Sequence, residues 1–251
     1  MPPSERLGFR EIASKIRQDI LEGAYPTGST LPPEPQLAER YGASRSLVNR
    51  AMQALYAEGI VRPQRGRGTE VTWTDPLVHT PKRYSRDFRE RDSALGALDS
   101  QLKTLGATPV HKITTERTAP PADIAALLQT DQALVRRRLV LVNGSPYRMG
   151  ESWFPLDIVK DSPLEEASPT LVGGVKSALA ALGYPQTTAK ERITASRTPT
   201  PAEFQALDIS PERSVAEIMH IGYTADGRVV EVTVTVAPAQ TLVAEFEFDL
   251  D

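Results

Sequence analysis

The sequence predicts an α+β protein of two domains, a helical one followed by a larger antiparallel-sheet domain. Its length of 251 residues suits two domains of ordinary size. Apolar residues follow helical spacing near the N-terminus and alternate as in strands over much of the remainder. A segment that starts at Ile113 recurs at Ile193, so the second domain is expected to contain an internal duplication.

Composition excludes several kinds of functional site. The chain is 40% hydrophobic and 24% charged, so it can bury a core in each domain. It has no cysteine, which excludes thiol nucleophiles, thiolate metal sites and disulfides. Its three histidines, His79, His111 and His220, are too far apart in sequence for a local metal site. We therefore expect neither a metal nor a cofactor.

Apolar runs are too short for a membrane protein. None reaches the roughly 18 residues of a membrane span, and the N-terminus lacks the apolar core of a signal peptide. We therefore expect a soluble protein of the cytoplasm.

Charge is distributed unevenly along the chain. Residues 1–75 carry ten Lys and Arg against nine Asp and Glu, whereas the remainder carries 19 against 23, which together give the net charge of −3. Between residues 40 and 67 there are six arginines and a single acidic residue, Glu58. A compact basic patch on a nearly neutral domain is compatible with DNA binding.

Two helices are predicted at the start of the chain. Ile12, Ile16 and Ile20 have helical spacing, which predicts a helix from Phe9 that ends at Gly23. A short second helix is predicted at 34–41, because prolines are tolerated in a first helical turn and a glycine follows at position 42.

A third helix is predicted to begin after Ser44, whose hydroxyl can cap a free backbone N–H. The apolar stripe of this helix comprises Leu47, Val48, Ala51 and Leu55. Polar and basic residues lie off that stripe, namely Arg45, Ser46, Asn49, Arg50 and Gln53. Such side chains can bond phosphate oxygens or base edges in a major groove. Two short helices joined by a tight turn, with such residues on the second, indicate a helix-turn-helix.

A basic hairpin is predicted to follow the third helix. Residues 60–61 and 70–73 are expected to form strands around a tip that carries Arg65 and Arg67 between glycines. Such a tip suits contact with phosphate or a minor groove. Alone, each feature could be an ordinary solvated helix face or a common turn, but their order favours DNA binding. The predicted DNA-contacting residues are Ser44, Arg45, Ser46, Asn49, Arg50, Gln64, Arg65, Gly66 and Arg67.

The segment 9–71 resembles the winged helix-turn-helix of GntR-type bacterial repressors. The resemblance rests on Ile20-Leu-Glu-Gly23, Pro26-x-Gly28, Leu31-Pro32, Leu37-Ala38, Gly42-Ala-Ser-Arg45, Ala54-Leu55, Glu58-Gly59 and Gly66-Arg-Gly-Thr69. It implies that Arg45 and the wing contact DNA. Pro35 and Asn49 stand where the family often has DNA-contacting arginines, so the resemblance does not imply a standard operator sequence.

The domain boundaries follow from composition. We expect a winged helix-turn-helix at residues 1–74, a linker with two prolines at 75–83 and an effector-binding and dimerisation domain at 84–251. Five basic and two acidic residues at 82–91 could run close to DNA or form a solvated connection. Leucines at 95, 98, 102 and 105 then predict a helix that ends at Gly106.

The internal repeat defines the second domain. Residues 113–127 align with residues 193–207 at an offset of 80, with eight of the fifteen positions identical. Each copy is expected to form a strand, a short helix, a strand and a hairpin. Two-residue hairpin turns are predicted at Asn143-Gly144 and Asp226-Gly227.

The hairpin strands are predicted at 135–142 and 229–236, where apolar and polar residues alternate in the second. One face of this sheet should therefore lie on a core, and the other should be polar. Leucines and valines at 171–182 predict a helix between the copies. Such a duplication would give an antiparallel sheet of approximate two-fold symmetry, with a cleft for a small ligand between its halves.

This order resembles the UTRA effector-sensing domain of the HutC branch of GntR regulators, whose sheet is similar to that of chorismate lyase. The matching stretches are Arg138-x5-Gly144-x-Pro146, Trp153-x-Pro155, Arg197-x-Pro199 and Tyr223-x3-Gly227-x3-Glu231. The resemblance implies that Arg138 and Glu231 face an effector. Val140 and Gly150 replace charged residues of relatives that bind sugar phosphates, which implies a less charged effector.

Other residues of the predicted effector site leave alternatives open. Arg136 shares the face of Arg138 by strand alternation and could add to the site. Arg138 and Glu231 could instead form a buried ion pair with each other. Trp153 and Tyr223 could stack on a ligand or could simply pack in the core.

Together these features predict a DNA-binding transcriptional regulator and not an enzyme. We expect a bacterial repressor that binds a palindromic operator as a homodimer, is associated with the nucleoid when bound to DNA, and is controlled by a small effector. One alternative is a constitutive dimeric repressor with a ligand-blind second domain. The other is a chorismate-lyase-like enzyme, which would leave the N-terminal module unexplained.

Overall fold

The computed structural model describes residues 7–73, 76–80, 97–104, 107–168, 171 and 174–248. The chain divides into two compact units, Met1–Asp75 and Pro76–Asp251. The basic segment predicted at 82–91 lies outside the described residues. Within the segment predicted as a linker, Leu77–His79 form a strand instead of an irregular connection.

The first unit contains the predicted three helices and hairpin. The helices are α1 (Phe9–Leu21), α2 (Glu34–Arg40) and α3 (Arg45–Ala57), and the hairpin strands are β1 (Val61–Gln64) and β2 (Gly68–Val71). Isoleucines and leucines from all three helices form one core, with Ile12, Ile16, Leu37 and Leu55 at most 1% exposed. The winged helix-turn-helix prediction is thus confirmed.

Capping fixes where the helices of this unit begin. The Glu11 carboxylate accepts a hydrogen bond of 2.7 Å from the backbone N–H of Gly8, ahead of α1. The Ser44 hydroxyl accepts one of 3.3 Å from the backbone N–H of Leu47, which confirms the predicted cap of α3. Gly42 has a φ of 58°, the left-handed conformation that the turn between α2 and α3 requires.

Replacement of the cap should weaken the first unit. We expect Ser44→Ala to lower its free energy of unfolding by about 1 kcal/mol, because an N–H of the first turn of α3 loses its acceptor. Urea unfolding followed by the fluorescence of Trp73, which packs against this core, measures the change. Ser46→Ala, at an exposed position two residues further along the first turn of α3, is the control. It should not lower the free energy of unfolding, since alanine is the better helix former. Equal losses in both variants would contradict the capping role.

In its described residues, the second unit contains eight strands and five α-helices. Its strands are β3 (Leu77–His79), β4 (Pro109–Thr118), β5 (Ala133–Val142), β6 (Ser145–Pro155), β7 (Thr188–Arg197), β8 (Val215–Tyr223), β9 (Val229–Pro238) and β10 (Leu242–Ala244). Its helices are α4 (Ala97–Thr104), α5 (Ala122–Leu128), α6 (Leu156–Val159), α7 (Gly174–Ala181) and α8 (Pro201–Leu207).

The large sheet has the strand order β4-β5-β6-β9-β8-β7, and every neighbouring pair is antiparallel. The first copy of the repeat supplies β4, β5 and β6, and the second supplies β7, β8 and β9. The copies meet at β6 and β9, so the order reads the same from either edge. This confirms the predicted duplication and its approximate two-fold symmetry. β3 and β10 form a separate parallel pair.

The two faces of the sheet have different coverings. One face packs against α5, the helix of the first copy, through residues that include Ile124, Val135 and Ile221. The other face packs at one end against α6 and α7 through residues that include Phe154 and Leu179. Between these apolar contacts the second face carries polar side chains, as the strand alternation predicts.

The two hairpins of the duplication differ. Asn143 and Gly144 have φ values of 51° and 79°, as the predicted two-residue turn requires. The predicted two-residue turn at Asp226-Gly227 is wrong. The backbone N–H of Thr224 donates to the carbonyl of Arg228 at 3.0 Å, and that of Gly227 donates to the carbonyl of Thr224 at 3.0 Å. This is a longer loop in which only the glycine has a positive φ, of 84°.

The longer loop changes the start of β9. The register shifts between Gly222 and Tyr223, so Val230 has no place in the regular alternation. Its side chain packs with Phe154 and Leu179, on the face opposite to Val232. The predicted alternation therefore holds only from Glu231 onwards.

Candidate DNA-binding surface and effector site

The N-terminal half of α3 presents polar side chains on a rigid support. Val48 and Leu55 are fully buried and anchor the helix to the core. The predicted contact residues of this helix are exposed, namely Ser44, Arg45, Ser46, Asn49 and Arg50. The structure therefore places all five on one accessible surface.

Two of these side chains are held by neighbouring helices. Asn49 Nδ2 donates a hydrogen bond of 3.0 Å to Glu34 Oε1 of α2, and the guanidinium of Arg50 lies 4.3 Å from the ring centroid of Phe9 of α1. Within the described part of the chain, no hydrogen bond or ion pair holds the Arg45 side chain. Arg45 is thus available to an incoming partner, whereas Asn49 and Arg50 must first leave their contacts.

The wing carries two exposed arginines on a turn that glycine makes possible. The backbone N–H of Arg67 donates to the carbonyl of Gln64 at 3.0 Å, and Gly66 has a φ of 75° in the third position of this turn. A positive φ there defines a type II turn, which strongly favours glycine. Arg65, Gly66 and Arg67 are exposed.

Gln64 is held within the hairpin. Its Nε2 donates to Glu70 Oε2, and the guanidinium of Arg62 lies 3.2 Å from the same oxygen. Of the four predicted wing residues, Gln64 is the one whose side chain makes a hydrogen bond within the described part of the chain. The sequence did not reveal this contact, because it depends on the register of β1 and β2.

A row of polar residues crosses the second face of the large sheet. The strand register places Arg136, Ser152, Thr233, His220 and Glu191 side by side on five neighbouring strands. Ser152 Oγ and Thr233 Oγ1 are 2.7 Å apart and share a hydrogen bond. Arg138 and Glu231 lie two residues from this row on the same face, by strand alternation. We call these seven residues the polar floor.

Arg136 is occupied by the backbone of a loop. Its guanidinium donates to the carbonyls of Leu164, Glu166 and Ser168, the first at 2.5 Å and the last at 3.1 Å. The residue is only 5% exposed. Burial lowers the pKa of this guanidinium, and the nearby charge of Arg138 lowers it further. Arg136 therefore holds the loop at 164–168 against the sheet, which is a different role from the predicted effector contact.

Glu231 lies on β9, two strands from Arg138 on β5 and on the other side of the polar row. It is 6% exposed. Its Oε1 accepts a hydrogen bond of 2.7 Å from Thr233 Oγ1, and its Oε2 accepts one of 2.5 Å from Gln186 Nε2. The predicted alternative of an Arg138–Glu231 ion pair is therefore not observed, since the carboxylate is bonded to these two neutral donors.

A chain of hydrogen bonds continues from Glu231 across the face. Gln186 Oε1 accepts from Lys176 Nζ of α7, and the same Nζ lies 3.0 Å from His220 Nε2. His220 Nδ1 lies 3.1 Å from Glu191 Oε1, and the second oxygen of Glu191 lies 2.7 Å from Nε2 of His79 on β3.

Two contacts of His220 Nε2 bear on its tautomer. Nε2 lies 3.0 Å from Lys176 Nζ, which can only donate, and 3.4 Å from Gln186 Oε1, which can only accept. The shorter contact favours the tautomer in which Nε2 accepts and Nδ1 donates to Glu191. Lys176, Gln186, Glu191 and both histidines were absent from the predicted site. Alternation could have placed His220 beside Thr233, but the other contacts depend on strand pairing and on the position of α7.

Trp153 and Tyr223 are separated from the polar floor. Alternation places both on the opposite face, where Trp153 is 3% exposed and packs with Ile124 and Val135, and Tyr223 packs against the same cluster. The structure thus supports core packing for these two residues and places them on the face opposite to the polar floor.

In the described residues, no helix is long and apolar enough to cross a membrane. Nor are any three His, Asp or Glu side chains of these residues placed to hold a metal ion.

The two units match two family models. Residues 9–71 match the model of the bacterial regulatory proteins of the gntR family. Residues 106–242, more than half of the chain, match the UTRA domain. The chain belongs to the GntR family of bacterial transcriptional regulators. As a GntR regulator it binds DNA through its winged helix-turn-helix, and its UTRA domain is the ligand-sensing type of this family.

Relatives along most of the chain agree with this assignment. An HTH-type transcriptional regulator of Rhizobium meliloti is 27% identical, over 89% of this chain and 87% of its own length. The mannosyl-D-glycerate transport/metabolism system repressor MngR of Escherichia coli is 24% identical, over 89% and 88%. The crystal structure of PhnF from Mycobacterium smegmatis has the same fold, with a TM-score of 0.59 at 16% identity, over 96% of this chain and all of PhnF. These proteins give the enzyme alternative no support.

Proposed function

We propose that this GntR regulator is a repressor that binds a palindromic operator as a homodimer and leaves it when a small effector binds the polar floor. The exposed guanidinium of Arg45 at the start of α3, which makes no hydrogen bond or ion pair with the described residues, is the observation that carries the DNA-binding part. A helix N-terminus also attracts phosphate through its free N–H groups. The exposed arginines of the wing add two further cations for the sugar-phosphate backbone.

Repression and dimerisation have separate supports. MngR, which is similar over most of its length, is a repressor by name. One short helix and one wing offer few contacts, so useful specificity requires two half-sites and therefore two copies. We assign dimerisation to residues 84–251, because the winged helix-turn-helix is small and its exposed surface is required for DNA.

Effector control requires two states with different affinities for the ligand. The polar floor supplies the chemistry for such a ligand, with Arg138 on β5 and Glu231 two strands away on β9. An effector bound there would favour the state in which the two winged domains no longer fit the half-site spacing. Arg136 contributes indirectly, since it holds the loop at 164–168.

A mobility-shift assay with the DNA upstream of the native gene tests this function. We expect a retarded band at low salt, and its absence would refute the proposal. Arg138→Ala should leave operator affinity within about twofold of the wild type but blunt release by metabolite extract, because the variant lies outside the DNA-binding unit. Arg137→Ala, on the other face of the same strand, is the control and should respond normally.

A ligand-blind repressor remains the alternative to exclude. Differential scanning fluorimetry with carbohydrates, amino acids and small carboxylates decides between them, because a ligand that binds the folded state raises its melting temperature. Sedimentation of the protein with and without operator DNA tests the dimer. A monomer on a single half-site would contradict the proposal.

A further inference from the structure

We propose that the effector presents an α-amino-acid head group, whose ammonium binds Glu231 and whose adjacent carboxylate binds Lys176. This inference rests on the proposed effector site and specifies the chemistry of its ligand. It follows from the way in which one glutamine side chain connects these two charges.

Among the described residues, the buried carboxylate of Glu231 has no cationic partner. It is 6% exposed, and within the described part of the chain its only hydrogen bonds come from the Gln186 amide and the Thr233 hydroxyl. Buried charges in proteins are normally paired, because removal of a charge from water is costly. A positively charged ligand group would supply the partner that Glu231 lacks.

Gln186 lies in the place that such a group would take. Its side chain crosses Gly222, so closely that a Cβ on this glycine would lie 2.4 Å from Gln186 Cδ. Gly222 is the direct neighbour of Glu231 in the strand pairing. The glutamine side chain is flexible and belongs to the segment before β7, so a ligand can displace it without a change in the sheet.

The carboxamide of Gln186 shows which atoms the ligand must provide. Its Nε2 donates to Glu231 and its Oε1 accepts from Lys176, so a donor and an acceptor on adjacent atoms connect a negative and a positive side chain. An α-amino acid provides the same pair with full charges, an ammonium for Glu231 and a carboxylate for Lys176. Each bond of Gln186 has one charged partner, whereas each bond of the ligand would have two, so the exchange adds an ion pair at both side chains.

The charges of the surrounding groups agree with this polarity. Glu191, His220 and His79 are joined to Lys176 in one chain of contacts. Glu231 lies at the end of this chain, separated from the cation of Lys176 by the neutral side chain of Gln186. A zwitterion with its ammonium towards Glu231 fits this arrangement better than a simple anion.

Differential scanning fluorimetry and calorimetry on the full-length protein test the inference. Each standard amino acid is added at millimolar concentration, and at least one should raise the melting temperature. For that amino acid, the matched α-hydroxy acid and the α-carboxamide should each bind at least about tenfold more weakly, since each loses one charged contact. No shift with any amino acid, or equal binding of the hydroxy acid, would overturn the inference.

Three substitutions and one control locate the binding. Glu231→Gln and Lys176→Met should each weaken binding of the amino acid by at least about tenfold, whereas Gln186→Ala should bind it as well as the wild type or better. Glu217→Gln is the control, since Glu217 lies on the face of β8 opposite to the polar floor, and it should leave binding of the amino acid unchanged. Loss of binding in Gln186→Ala with normal binding in Glu231→Gln would contradict the assignment.

The experiment separates this inference from the proposed function. Amino-acid binding is measured without DNA, so it can be observed even if no operator is retarded. Conversely, if a sugar or a simple carboxylate releases the operator and no amino acid binds, the regulatory function stands and the amino-acid head group is refuted.

Discussion

Arg45→Glu should lower the affinity for the native upstream DNA by at least about 100-fold, the largest effect expected in the DNA-binding unit. The substitution removes an arginine contact and places a negative charge against phosphate. It should not unfold α3, because an acidic residue in the first turn interacts favourably with the helix dipole. Titration of labelled DNA by fluorescence anisotropy at fixed salt measures the change, and the melting temperature confirms the fold.

Lys15→Glu is the matched control, since it changes the net charge equally at an exposed position of α1. We expect it to weaken binding by no more than about threefold, through the long-range field alone. If both reversals weakened binding to the same extent, net charge would explain the result and α3 would not be the recognition helix. Near-wild-type affinity of Arg45→Glu would refute the assignment outright.

Arg136→Met should destabilise the second unit by at least about 3 kcal/mol. The substitution keeps an unbranched apolar stem but removes the guanidinium, so the carbonyls of Leu164, Glu166 and Ser168 lose this donor. One buried polar group left unsatisfied costs about 1–3 kcal/mol, and the two partly buried carbonyls of Glu166 and Ser168 add to the cost at the buried carbonyl of Leu164. Urea unfolding followed by the fluorescence of Trp153, which is buried in this unit, measures the loss.

Arg137→Met is the control on the next residue. Its guanidinium bonds Glu116 and Glu151, but the side chain is 41% exposed, so loss of these ion pairs should cost less than about 1 kcal/mol. The comparison isolates burial from charge, because both variants remove one arginine from β5. A similar loss in the two variants would mean that the loop contacts of Arg136 add nothing to stability.

The first unit could be predicted from the sequence almost completely, because its signals are local. The isoleucines of α1, the Ser44 cap and the glycines of the wing each act within a few residues of their own position. In the second unit the repeat made the duplicated sheet predictable, since two similar segments predict two similar substructures. Even there, the loop at Asp226 differed, because Thr224 makes side-chain hydrogen bonds that favour a longer turn.

The effector site was predicted only in outline. The family resemblance implied that Arg138 and Glu231 face an effector, and alternation along the strand placed Arg136 on the face of Arg138. Alternation could not show that the Arg136 guanidinium donates its hydrogen bonds to carbonyls 28 to 32 residues later in the chain. Nor could it find Gln186 and Lys176, which reach Glu231 and His220 from a loop and a helix outside the repeat.

The duplication has a consequence for how a ligand is oriented. The first copy contributes Arg136 and Arg138 to the polar floor, and the second contributes Glu191 and Glu231. The two halves share a backbone plan but have opposite electrostatic sign, so the symmetric scaffold generates a field directed across the central pair of strands. A dipolar molecule that enters head first therefore differs in energy from the same molecule entering tail first. Directional discrimination of this kind needs no difference in shape between the two ends.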